Sequence, residues 1–242
     1  MAASCLTQTG CGTGAYEALM QKRLAEIQTA APFTQLFGAG ALPETPVKVR
    51  VPQVFKNSFA QDSPHPDDGE KIDPRRFEPP FLSLPGIRLC YEQTAVAPTG
   101  EQTPYYCYLA AFQANPGAVA GVAADIQTTL NNEFPNSPAV WQDVVVKTAA
   151  GGDLTWRKIR VTGEMPVDIH TGDGNPDNVE FKKLPGAFEL WIYEVKNWVV
   201  LIGWREVDAV ADKSNLAALA PLTAGTVEIG EMPPPAEAAA AK

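Results

Sequence analysis

The chain has 242 residues, 45% of them hydrophobic, and a formal net charge of -9. That length and composition suit a globular fold with a sizeable core and exclude wholesale disorder. The acidic balance speaks against a nucleic-acid surface and against docking on an anionic membrane face, because both need clustered Lys and Arg.

From the N-terminus, residues 1 to 13 are small and polar and read as an irregular arm. They lack the basic and apolar segments of a secretory leader. No apolar run in the chain approaches the ~20 residues of a spanning helix. The expectation is a cytoplasmic protein. Ala15–Thr29 predicts a helix, with Tyr16, Leu19, Met20, Leu24 and Ile27 on one face at helical spacing. Glu17, Gln21, Arg23 and Glu26 supply the other side. Such a stripe packs on its parent domain, the commoner arrangement, or on another chain.

Ala31–Glu44 reads as irregular, and Val47–Val51 as a half-buried strand. Lys56–Pro80 is a long proline-rich stretch without periodicity. Loops of that length are usually functional or wrap a surface, and proline lowers the cost of ordering them. His65, Arg75, Arg76 and Phe77 in this loop join Tyr16, Leu19, Met20 and Leu24 as the expected partner-binding residues.

Gly86–Val96 and Pro104–Gln113 alternate at period two about a Thr99-Gly100 turn and predict a hairpin. Cys90 and Cys107 sit symmetrically about that turn, placed to face each other across the two strands. A disulfide and a pair of small buried thiols both fit, and a reducing compartment favours the thiols. Whether Cys5 and Cys11 close a small ring stays open. No Cys-x-x-Cys pair is present, so a structural zinc site is not expected.

Val119–Phe134 predicts a helix with Val119, Val122, Ile126 and Leu130 on one face. Asn115 and Pro116 suit its N-cap and first turn, and Phe134-Pro135 stops it. Strand signals follow at Val144–Thr148 and Leu154–Thr162, the latter continuing to His170 across a bend at Gly163. Phe188–Val195 and Trp198–Arg205 form a hairpin joined at Lys196-Asn197. In its second arm Trp198, Val200, Ile202 and Trp204 share one face, and Val199, Leu201 and Gly203 share the other. A strand apolar on both faces belongs at the centre of a sheet covered on both sides.

Ser214–Ala224 predicts a final helix capped by Ser214, with Leu216, Leu219 and Leu222 buried and Pro221 shortening or kinking it. Val227–Ile229 is a last short strand, and Glu231–Lys242 a low-complexity tail. The tripeptides Leu84-Pro85-Gly86 and Leu184-Pro185-Gly186 each precede a hairpin strand and suggest a shared way of entering the sheet. The organisation is thus an arm at 1–44, one globular domain at 45–230 and a tail at 231–242.

Possible chemistry is sparse. Asp173, Asn175 and Asp177 have the opening spacing of a calcium loop. The pattern fails at its glycine position, occupied by Asn178, and at its final carboxylate, occupied by Leu184. A solvated turn accounts for the same residues. His170 with Asp168 or Asp173 offers a general base, but no nucleophile elbow, phosphate loop or dinucleotide fingerprint accompanies it.

Trp156–Gly163, Phe188–Val195, Trp198–Arg205 and the Leu-rich helix after them, opened by Val47–Phe55, resemble a PsbP-like domain. These are the sandwich domains of extrinsic photosystem proteins and their bacterial relatives. The resemblance spans roughly residues 45 to 230; the N-terminal helix and the 56–80 stretch depart from it. It implies an α+β fold, a three-layer α/β/α sandwich with a mainly antiparallel central sheet. Members of that superfamily are mostly non-catalytic subunits or accessory factors, so the resemblance implies binding to other proteins. The expectation is a non-catalytic, cofactor-free interaction or assembly subunit of a larger complex, with protein partners or self-association. The alternatives are a small-ligand or Ca²⁺-binding module at 168–180 and, further off, a hydrolase at His170.

Overall fold

The computed structural model describes residues 13–60, 63–64, 71–72, 75, 78–170 and 179–232. Its organising unit is the hairpin of β10 (Val179–Val195) and β11 (Trp198–Val207). The turn between them places Lys196 in the left-handed region, φ 56°. All ten residues of β11 are buried, as the two apolar faces require.

On one side of the hairpin lie β9 (Asp153–His170) and then β8 (Gln142–Lys147). On the other lie β7 (Gln102–Gln113), β6 (Ile87–Val96) and β3 (Asn57–Ala60). The seven strands run in the order β3-β6-β7-β11-β10-β9-β8, every pair antiparallel. β11 is the middle strand. A second sheet joins β1 (Gly40–Ala41), β2 (Val47–Val49) and β12 (Glu228–Ile229). β4 (Ser63–Pro64) and β5 (Lys71–Ile72) pair with each other.

One face of the large sheet carries Tyr108, Phe188, Leu190 and Ile159, as the ladder registers require. It is covered by α2 (Ala118–Glu133), whose Ile126 and Leu130 are buried. Phe81 closes this layer, its ring 4.9 Å from Phe134 and 5.3 Å from Phe188. Trp141 donates to the Ala123 carbonyl at 2.9 Å and ties the chain after α2 to the helix. The other face carries Trp156, Trp191, Ile202 and Trp204. There α4 (Leu216–Ala224) lies with Leu216 and Ala217 beside Trp204, and Phe55 packs on the Trp204 ring at 6.3 Å. Between β11 and α4 come a 3-10 turn (Asp208–Val210) and the single turn of α3 (Ala211–Ser214). The architecture is the expected α+β sandwich with an antiparallel sheet.

Several details differ from the sequence reading. The hairpin of β6 and β7 is present, but Cys90 pairs with Tyr108 and Cys107 with Tyr91. The two cysteines are therefore one residue out of step and point to opposite faces. Both are buried free thiols, and burial pushes both thiol pKa values up. α2 begins two residues later than Asn115-Pro116 suggests. Gly117 at φ 84° precedes its first residue, and the Ala118 amide donates to the Asn115 carbonyl. Asn215, not Ser214, precedes α4, because the Ser214 hydroxyl is turned inward.

The stretch 56–80 is not uniformly a loop, since β3 extends the sheet and β4 pairs with β5. Ala31–Glu44 likewise holds a 3-10 turn (Ala31–Gln35) and β1. The two Leu-Pro-Gly tripeptides do different jobs. Gly86 turns the chain into β6 at φ 65°. Gly186 lies inside β10, where β11 comes so close that a Cβ would collide with the Glu206 carbonyl oxygen. Cys5, Cys11 and residues 233–242 of the tail lie outside the described residues.

Gly186→Ala drives a Cβ into the backbone of β11 and is expected to cost about 3 kcal/mol or more. Gly121→Ala, in α2 with open space around it, is expected to stabilise by about 0.5–1 kcal/mol. Thermal melting of the two variants checks this contrast; a tolerated Gly186→Ala contradicts the packing described.

Candidate interaction surface

The N-terminal helix α1 spans Thr13–Ala30, as its periodicity predicts. It does not pack its stripe on the domain. Tyr16 is 63% exposed, Leu19 57%, Met20 53%, Leu24 56% and Ile27 63%. Its ends add no charge that favours the helix dipole: no acid occupies its first turn and no base its last. An 18-residue helix without a packed face is marginal in water, since tertiary burial is what usually stabilises helices.

The root of α1 is firmly held. Phe33 and Leu36, just after it, are buried. The Arg50 guanidinium donates to the Phe33 carbonyl at 2.9 Å and to the Phe37 carbonyl at 2.7 Å. Gln53 adds bonds to the Thr34 and Leu36 carbonyls, each 3.1 Å. The Arg50 amide in turn donates to Thr226 Oγ1, which ties this junction to the end of the chain. A fixed base thus carries a helix whose apolar side is open.

Beside that base runs a groove of about 590 Å³ lined by Gln28, Pro32, Phe33, Val145, Pro221 and Leu222 among others. It follows β8, the last strand of the large sheet. Val145 in the groove and Val140 just before β8 are 60% and 58% exposed. The last turn of α1, at Gln28 and Thr29, borders this groove, and the apolar stripe lies further along the helix.

The four helix residues expected to bind a partner, Tyr16, Leu19, Met20 and Leu24, share this exposed face. Of the four loop residues, Arg75 is exposed, and His65, Arg76 and Phe77 lie outside the described residues. Asp173, Asn175 and Asp177 lie outside them too. His170 ends β9, opposite Val179 and Gln102, and Asp168 is exposed in the ladder opposite Phe181. Among the described residues no group of three or more His, Cys, Asp or Glu side chains is placed to hold a metal. Among them, too, no helix is long and apolar enough to cross a membrane.

The sequence reading missed an ionic network around two buried carboxylates on the α4 side of the sheet. Glu189 accepts from Trp191 Nε1 at 2.7 Å and sits 3.4 Å from Arg160 and 3.5 Å from Lys158. Glu206, also buried, accepts a hydrogen bond from the Ser214 hydroxyl. Burial pushes the Glu206 carboxyl above its ordinary range, partly offset by the Ser214 bond and the charge of Arg160; Glu189 adds to the rise. Two carboxylates in unlike environments resemble an acid–base pair. The space between them, bounded also by Trp204 and Leu216, is only about 10 Å³. That holds one water at most, so no substrate reaches them. Glu206 fastens the end of α3 to the central hairpin through Ser214, and Glu189 ties β10 to β9. The available signal was a charge on the inward face of an otherwise apolar strand, in Phe188-Glu189-Leu190 and Trp204-Arg205-Glu206. Arg205 points to the opposite face, 4.1 Å above the Tyr106 ring and bonded to the Pro166 carbonyl at 3.2 Å.

No protein-family model matches the chain, and no curated protein does. Among solved structures it is similar to the solution structure of cyanobacterial PsbP (CyanoP) from Synechocystis sp. PCC 6803. The match covers 81% of this chain and 93% of that one, at 8% identity and a TM-score of 0.37. A similarity of that size carries no argument about activity or partners.

A carboxyl whose folded pKa is raised stabilises the fold below its ordinary pKa and loses that contribution as pH climbs to the raised value. Glu206→Gln removes this dependence while keeping an acceptor for Ser214. The Tm of the variant relative to the native chain is therefore expected to rise as pH increases from the ordinary value of 4.5 and then level off. A pH-independent difference in Tm contradicts the burial of this carboxyl.

Proposed function

We propose that this chain is a non-catalytic interaction or assembly subunit that meets its partner through α1. The observation that carries the reading is the apolar stripe of Tyr16, Leu19, Met20, Leu24 and Ile27, left open on a helix with a fixed root. Five large apolar side chains on one open helix face are a contact surface, because water-exposed apolar patches of that extent mark interaction sites. The ionic network of the core supports the same reading, since its carboxylates are sealed under α4 and hold the fold together.

A photo-crosslinking side chain placed at Met20 or Leu24 and activated in the native host is expected to yield discrete protein adducts. The same group at Lys22, on the polar side, is expected to yield few. Equal labelling from both sides, or none from the stripe, overturns the proposal.

A further inference from the structure

Resting on that reading, we propose that the partner seated on α1 is a second copy of this chain. Each copy lays its α1 stripe in the other copy's groove beside β8.

The groove's own helix is badly placed to fill it. Gln28 and Thr29, in the last turn of α1, already form one wall of the groove. The stripe that would fit it lies further up a continuous helix whose root is clamped by Arg50. For Met20 or Leu24 to reach the groove of the same chain, α1 would have to break and reverse. A helix from another copy meets no such constraint.

A two-fold pair requires one self-complementary patch that contains both the donating and the receiving element. Here the two are adjacent: the helix rises from the rim of the groove it matches. The chemistry fits as well. Pro32, Val145, Pro221 and Leu222 offer an apolar bed, and Leu19, Met20, Leu24 and Ile27 offer aliphatic side chains to fill it, Met20 the most adaptable.

The area suffices. Five stripe residues left more than half exposed present roughly 600 Å² of surface, and the exposed valines near β8 bring each copy to about 800 Å², the share of one partner in a stable interface. Pairing also covers the edge strand β8, whose open side is otherwise a site for uncontrolled strand addition. The net charge of -9 on each copy opposes association at low salt, so added salt is expected to strengthen the pair.

Sedimentation of the full chain from about 1 to about 100 µM tests this, over the range where a weak dimer populates. The expected result is a species of twice the 26.0 kDa of one chain. Leu24→Glu in the stripe and Val145→Glu in the groove are each expected to weaken dimerisation at least about tenfold. Both positions are exposed, and circular dichroism confirms that the variants fold. A chain that stays monomeric throughout, or a dimer indifferent to both variants, overturns the inference. A monomer that still yields adducts with another protein from Met20 and Leu24 removes the second copy and leaves the interaction reading standing. A monomer with no such adducts removes both.

Discussion

The structure depends on the burial of β11 on both of its faces. Val199 and Leu201 face the α2 layer, and Trp198, Val200, Ile202 and Trp204 face the layer of α4 and Phe55. Each large apolar side chain removed from water in this way contributes about 1.5–3 kcal/mol. A strand with no polar side cannot be an edge, so β10 and β7 must flank it, and further strands must follow until the sheet can end in water. It also needs cover above and below, which fixes α2 on one side and α4 on the other. The close approach at Gly186, where β10 and β11 leave no room for a Cβ, comes from the same demand for tight packing.

Sealing the sheet has a second consequence. Charged residues that fall on β10 and β11 must find partners inside. Glu189 is held between Arg160, Lys158 and the Trp191 indole, and Glu206 takes the Ser214 hydroxyl. Arg205 lies on the Tyr106 ring. These groups resemble an active site in type, and burial raises the pKa of Glu206. The space among the carboxylates is nearly nil, which makes them fasteners of the fold. Among the described residues, five of the exposed large apolar side chains lie on α1: Tyr16, Leu19, Met20, Leu24 and Ile27.

The sequence made the central hairpin legible because its signal is local: two apolar faces, period two, and a turn at Lys196-Asn197. The helix α1 was legible for the same reason, through its spacing of Tyr16, Met20, Leu24 and Ile27. Where that stripe goes was not, because periodicity says that a face is apolar and not what covers it. The register of Cys90 and Cys107 was missed because symmetry about a turn does not fix pairing, and a slip of one residue reverses the face. The inward turn of Ser214 was missed because a serine before a helix reads as a cap. Its true acceptor, Glu206, lies eight residues away in a strand. β3, β4 and β5 were lost among prolines, in a stretch whose short pairings leave no periodic trace.

In the proposed arrangement α1 is completed by contact with another chain. Amide hydrogen exchange reads it residue by residue. In dilute solution the amides of β10 and β11 are expected to be strongly protected and those of α1 to exchange fast, as befits a marginal helix. At high protein concentration α1 is expected to gain protection while β10 and β11 stay unchanged. Protection of α1 that is strong and independent of concentration, without any partner present, contradicts the account.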